Sequence, residues 1–131
     1  MAQPFNGVSP YLCVDGGVKA LEFYEKAFGG KVTAKNLTDD GKLMHGALDI
    51  NGGLVMLSDD MRGGAGAWRA PKGATSTVVH IETDNADPWW ERAVKAGCKA
   101  IMPLEKQFWG VKYGQLQDPY GHIWSISGPA K

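Results

Sequence analysis

Residues 8–30 read VSPYLCVDGGVKALEFYEKAFGG, and the change of hydrophobic period inside this stretch decides the fold. Val8 to Val14 alternates as a strand, Gly16 and Gly17 interrupt it, and Val18 to Phe28 then follows a helical period. Val18, Leu21, Tyr24 and Phe28 share one helical face, and Gly29-Gly30 stop the helix as a C-cap. Three strand-like runs follow, near Lys31 to Leu37, Lys42 to Ile50 and Leu54 to Ser58, with turns at Asp39-Asp40-Gly41 and Asn51-Gly52. The order is β, α, β, β, β.

Further along, the same order returns. A strand is expected near Ser76 to Thr83, then a helix with Asp87 as N-cap and Pro88 at its first position, and Trp90, Ala93, Val94 and Gly97 as its buried stripe. Strands follow near Lys99 to Leu104, Val111 to Gln117 and His122 to Ser127, the last preceded by the tight turn Asp118-Pro119-Tyr120-Gly121. Landmarks of three kinds recur at one offset: 69 residues from Asp15 to Asp84, 68 from Gly29 to Gly97, and 69 from Leu57 to Ile126. The expected architecture is therefore a single α+β domain spanning 1–131, with one module at about 7–58, a linker at about 59–75 and a second module at about 76–128. The linker is glycine-rich and carries Trp68 and Arg69, which reads as a connection with one anchoring tryptophan or as a lid. Gly63, Gly64 and Gly66 do not join a strand to a helix, so they make no phosphate cradle.

Composition narrows the function classes. The chain has 131 residues, enough for one core without disulfides, and 14 basic side chains balance 14 acidic ones with no long run of either sign. That balance argues against nucleic acid and anionic membrane as partners. Cys13 and Cys98 have neither the spacing of a metal knuckle nor the number of a disulfide framework, and the first residues carry no basic-then-apolar leader, so a cytoplasmic location is expected.

Several runs resemble one known family: Ser9-Pro10-Tyr11-Leu12, Phe23-Tyr24 with Phe28-Gly29, Met56-Leu57-Ser58-Asp59, Gln107-Phe108-Trp109-Gly110, and Asp118-Pro119-Tyr120-Gly121-His122-Ile123-Trp124-Ser125. Together they are similar to the PhnB-like branch of the vicinal oxygen chelate (glyoxalase/bleomycin resistance protein/dioxygenase) superfamily. The resemblance implies paired βαβββ modules curling mixed sheets around one cavity, helices on the outer faces, and a homodimer. It implies no single reaction, since the superfamily holds metal-dependent lyases, dioxygenases and epimerases beside proteins that sequester antibiotics. Metal-using members would place ligands at the positions that are here Ser9, Met56, Val78 and Ser125, and the repeat offset relates 9 to 78 and 56 to 125. Hydroxyl, thioether and isopropyl groups do not replace the imidazoles and carboxylates a divalent cation needs, so no metal and no other cofactor is expected.

Strand alternation sorts the remaining candidates. Leu12, Val14, Val79, Ile81, Trp124 and Ile126 read as core, with Met44, Leu48 and Ile50 joining them. The opposite faces then carry Tyr11 and Cys13, His45 and Asp49, His80 and Glu82, Tyr113, Gln115 and Gln117, and Ser125. His80 and Glu82 lie two apart on one strand, where a shared hydrogen bond would tune the imidazole; structural, ligand-binding and catalytic roles all fit. His45, His80 and a carboxylate form a conceivable unconventional metal site. His122 is expected to hold the last turn or donate at a cavity rim, Trp109 and Tyr113 to pack or to stack on a flat ligand, Cys13 to be inert, and Trp89 to mark a dimer surface.

The expected function is binding of a small, aromatic or antibiotic-like molecule without the usual metal, with Tyr11, His45, His80, Glu82, Trp109, Tyr113, Gln115 and Ser125 as ligand-binding candidates. The alternative is a lyase, isomerase or dioxygenase-type enzyme of the same superfamily using His80 and Glu82, or a non-standard metal site.

Overall fold

A computed structural model describes residues 7–61 and 69–130. The first half runs β1 (Tyr11–Val14), α1 (Gly17–Phe28), β2 (Lys31–Leu37), β3 (Leu43–Ile50) and β4 (Gly53–Asp59). The second runs β5 (Val78–Glu82), α2 (Ala86–Ala96), β6 (Lys99–Lys106), β7 (Val111–Gln117) and β8 (Ile123–Pro129). Each half makes its own four-stranded mixed sheet, in the orders β1-β4-β3-β2 and β5-β8-β7-β6, with the first and last strands of each module parallel and the other pairs antiparallel. The sheets do not close into a barrel. Register repeats as the sequence does: Tyr11 pairs with Met56 in one sheet and His80 with Ser125 in the other.

One apolar core serves both halves. Phe28 of α1 stacks on Trp124 of β8 with ring centroids 4.2 Å apart, and Tyr24 lies 5.3 Å from the same indole. Such an aromatic pair contributes about 0.5–1.5 kcal/mol beyond its buried area. Beneath it, Asp118 Oδ2 accepts the Tyr24 hydroxyl at 2.5 Å and the Trp124 Nε1–H at 2.9 Å, while Oδ1 accepts the backbone N–H groups of Tyr120 and His122. Burial and the Asp118 carboxylate push the Tyr24 phenol well above its usual range, so it stays a donor.

Helix starts are anchored from a distance. No side chain of Gly16, which precedes α1 at φ 99°, can cap it; instead Asp59, at the end of β4, accepts Gly16 N–H and Gly17 N–H on one oxygen and Leu43 N–H on the other. A carboxylate there satisfies orphan donors and suits the positive end of the helix dipole. A Cβ on Gly17 would stand 2.5 Å from Leu43 Cβ, so close packing demands glycine.

Three sequence expectations are corrected. Helix α2 begins at Ala86 after Asn85, which makes no side-chain cap; Asp87 sits in the first turn, where it pairs with Lys112 Nζ at 2.7 Å. The buried stripe of α2 is Ala86 and Ala93, whereas Val94 is exposed: the bulky side chains between the helices and β8 come from α1 and β8, and small residues of α2 accommodate them. Met44 is exposed and Leu43 takes the core place, consistent with the register shift between Asn36 and Leu37 opposite it. Trp89 packs against the shared core, with the Arg92 guanidinium 4.5 Å from its ring, and Arg92 Nε donates to Ala27 O at the end of α1. The lid reading of Trp68 and the glycines at 63, 64 and 66 fall outside the described residues.

Candidate functional site

The face of the second sheet turned away from the helices carries a hydrogen-bonded chain. Glu82 Oε1 accepts His80 Nε2–H at 2.9 Å, and His80 Nδ1 lies 2.7 Å from Ser125 Oγ. With the Nε2 proton directed at the carboxylate, Nδ1 of that tautomer accepts the hydrogen bond of the Ser125 hydroxyl. Ser125 is only 1% exposed, whereas the His80 and Glu82 side chains are 42% and 66% exposed, so the chain runs from a buried anchor outward to an accessible carboxylate. Tyr113 stacks beside His80 at 6.1 Å and accepts a hydrogen bond from Gln115 Nε2 at 3.1 Å; Gln115 itself pairs with Ser125 across the β7–β8 ladder.

In the first sheet, the Tyr11 hydroxyl and His45 Nδ1 share a 2.7 Å hydrogen bond, with the rings 5.6 Å apart. Burial raises the Tyr11 pKa, which keeps the phenol protonated. The two sheets thus present related pairs. The 69-residue offset relates Tyr11 to His80, and the pairings Gly46–Leu57 and Gly114–Ile126 make His45 the counterpart of Tyr113. Each half shows one phenol and one imidazole, with their strands exchanged, and among the described residues only the second half backs its imidazole with a carboxylate.

Trp109 stands apart from these pairs. It occupies the turn between β6 and β7, half exposed, edge-to-face with the fully exposed Phe108 at 4.9 Å. His122 donates Nε2–H to the Cys13 carbonyl at 2.8 Å, tying the start of β8 to β1. Burial first, and Asp60 next, push the Cys13 thiol up to about 11, while burial and Asp118 push Cys98 up to about 12. Both thiols are therefore expected to resist a disulfide reagent at pH 8 until the chain unfolds; rapid titration of either in native protein would contradict this. Because the folded pKa values lie above the unfolded one, their stabilising contribution is complete below about 9 and is lost as pH rises toward 11–12. A urea midpoint that holds constant from pH 8 to 11 would argue against it.

The resemblance would put metal ligands at positions 9, 56, 78 and 125, and the local chemistry there is of another kind. Ser9 Oγ donates to Leu54 O at 2.5 Å, Ser125 Oγ is engaged with His80, and Met56 and Val78 offer no imidazole or carboxylate. These residues do not fit a divalent cation. Nor do His45 and His80 gather with a carboxylate: among the described residues no three of His, Cys, Asp or Glu converge as a ligand group. No helix among them is long and apolar enough to cross a membrane.

Two tandem βαβββ modules with polar, aromatic inner faces define a glyoxalase-type fold. Comparison with known proteins agrees: a model of the glyoxalase/bleomycin resistance protein/dioxygenase superfamily matches residues 8–126. The chain belongs to that superfamily. It is 40% identical over 127 residues to an uncharacterized protein of Mycobacterium tuberculosis strain H37Rv, covering 95% of this chain and 75% of that one. Among solved structures, TioX from Micromonospora sp. ML1 superimposes with a TM-score of 0.76 at 22% identity, over 96% of this chain and all (100%) of its own. The PhnB protein from Bacillus cereus does so with a TM-score of 0.67 at 21% identity, covering 93% of this chain and 98% of its own.

Proposed function

We propose that this chain, a PhnB-like member of the superfamily, binds a small aromatic or antibiotic-like molecule on the inner faces of its sheets, without a metal at the four familial positions. The observation that carries this reading is the matched phenol–imidazole pairs, Tyr11 with His45 and Tyr113 with His80, supported by Glu82, Ser125 and Gln115. Rings for stacking beside a few fixed hydrogen-bonding groups are what small-molecule sites offer. A homodimer burying about 1,000 Å² or more belongs to the same proposal, since Val78 and Met102 expose apolar surface on the face that carries His80 and Gln115.

A ligand-observed NMR screen of aromatic fragments tests it. Hits are expected to weaken about tenfold in His80→Ala, a loss of about 1.4 kcal/mol, and to stabilise the wild type in thermal-shift assays without added divalent cations. Purified protein carrying a stoichiometric metal, or hits indifferent to His80, would sink the reading. One observation favours a second reading: the relay from Ser125 through His80 to the exposed Glu82 carboxylate suits proton transfer. Consumption of a hit by the wild type, abolished in Glu82→Gln, would identify an enzyme.

A further inference from the structure

The β3–β4 hairpin of the first module turns on Asn51-Gly52, and this turn reaches across to the second module. Ile50 pairs with Gly53, so the loop has two residues, and their φ values of 51° and 85° make it a type I′ turn. Among the described residues, Asn51 is the only one besides glycine with a positive φ. Both turn residues are exposed. The Asn51 side-chain Nδ2–H donates to the Glu82 carbonyl at the end of β5 at 2.7 Å, and the Gly52 N–H donates to Asp49 Oδ1 at 2.9 Å. A Cβ built on Gly52 would meet nothing within 4 Å, so no neighbouring side chain crowds this peptide unit.

We propose that Asn51 is a modification site at the junction of the two modules, where the asparagine amide is lost through a cyclic imide with Gly52 and the tie to Glu82 is lost with it. The Gly52 nitrogen, once its proton passes to a solvent base, bonds to Asn51 Cγ; the Cγ–Nδ2 bond breaks and the nitrogen leaves as ammonia. Water then adds to one of the two imide carbonyls and opens the ring, giving aspartate or its β-linked isomer, either of which carries a new negative charge. No electrons change hands, and water is the only co-reactant. Two contacts hold the reaction back in the folded chain: the Asp49 oxygen opposes loss of the Gly52 proton, and the Glu82 carbonyl fixes the carboxamide that has to turn. The product has acceptor oxygens where Nδ2–H had been a donor, so it repels the Glu82 carbonyl instead of binding it. Modification thereby frees the end of the strand that carries His80 and Glu82.

Timed peptide mapping of the full chain at mildly alkaline pH, in buffer and in guanidinium chloride, tests this. Mapping separates Asn51 from the other Asn-Gly pair of the sequence, Asn6-Gly7, and the one-dalton gain separates amide loss from isomerisation at Asp15-Gly16 and Asp40-Gly41. Asn51 is expected to convert in both conditions, about tenfold more slowly in the native chain, the scale of two hydrogen bonds that must open first. Asp49→Ala is expected to close part of that gap and Asn51→Gln to abolish conversion, with circular dichroism verifying that both variants fold. Asn51→Asp, the linear product, is expected to speed hydrogen exchange at the Thr83 amide, which donates to Ser127 O next to the lost tie, by about fivefold, the scale of one hydrogen bond. An Asn51 amide that stays intact in the native chain, equal rates in the two conditions, indifference to Asp49→Ala, or unchanged Thr83 exchange in Asn51→Asp would each overturn the proposal.

Discussion

Replacing Asp118 with alanine is expected to remove about 3–5 kcal/mol from the unfolding free energy, measured by urea titration. The side chain is 4% exposed and accepts hydrogen bonds from the Tyr24 hydroxyl, the Trp124 indole, and the N–H groups of Tyr120 and His122. Alanine leaves the first two buried without an acceptor and releases the turn that launches β8. Asparagine keeps one carbonyl oxygen but points an N–H₂ at groups that are themselves donors, so it is expected to recover only part of the loss. A loss under about 1 kcal/mol in Asp118→Ala would mean that solvent reaches these donors and the carboxylate is not a structural centre.

Trp124→Ala is expected to cost about 3–5 kcal/mol, the range for deleting a fully buried large aromatic side chain. The indole is completely buried, stacks on Phe28 and leans on Tyr24, so the substitution opens a void between α1 and the second sheet. The two substitutions share a hydrogen bond, and the double variant should lose measurably less than the sum of the singles. Strict additivity would show that Trp124 acts through packing alone and that its Nε1–H contributes nothing through Asp118.

Much of this arrangement is written in local pattern. The order of elements follows from period changes and glycine punctuation, and the 69-residue repeat anticipates the matching registers, Tyr11 with Met56 and His80 with Ser125. Alternation alone places His80, Glu82, Tyr113, Gln115 and Ser125 on one face. What alternation does not contain is reach across strands: the Tyr11–His45 bond depends on side-chain length over the sheet, and Trp109 leaves the group because its turn carries it past the end of the ladder. The same offset, applied to His80, returns Tyr11, and this was the signal for the exchanged pairs. Asp59 and Asp118 escaped for a different reason. Their partners lie 42 and 94 residues away, at Gly17 and Tyr24, and no periodicity records a bond between distant turns and helices.

The aromatic stack between α1 and β8 has a consequence for the chain's ancestry. A tandem duplication starts with two copies, each answerable for its own interior; here Phe28 and Tyr24 have surrendered theirs to Trp124 of the other copy. Cut at the linker, neither piece could hide its largest rings from water, and synthesis must pass β8 before the first half is finished. Separately produced halves are therefore expected to stay unfolded alone and to gain structure only when mixed.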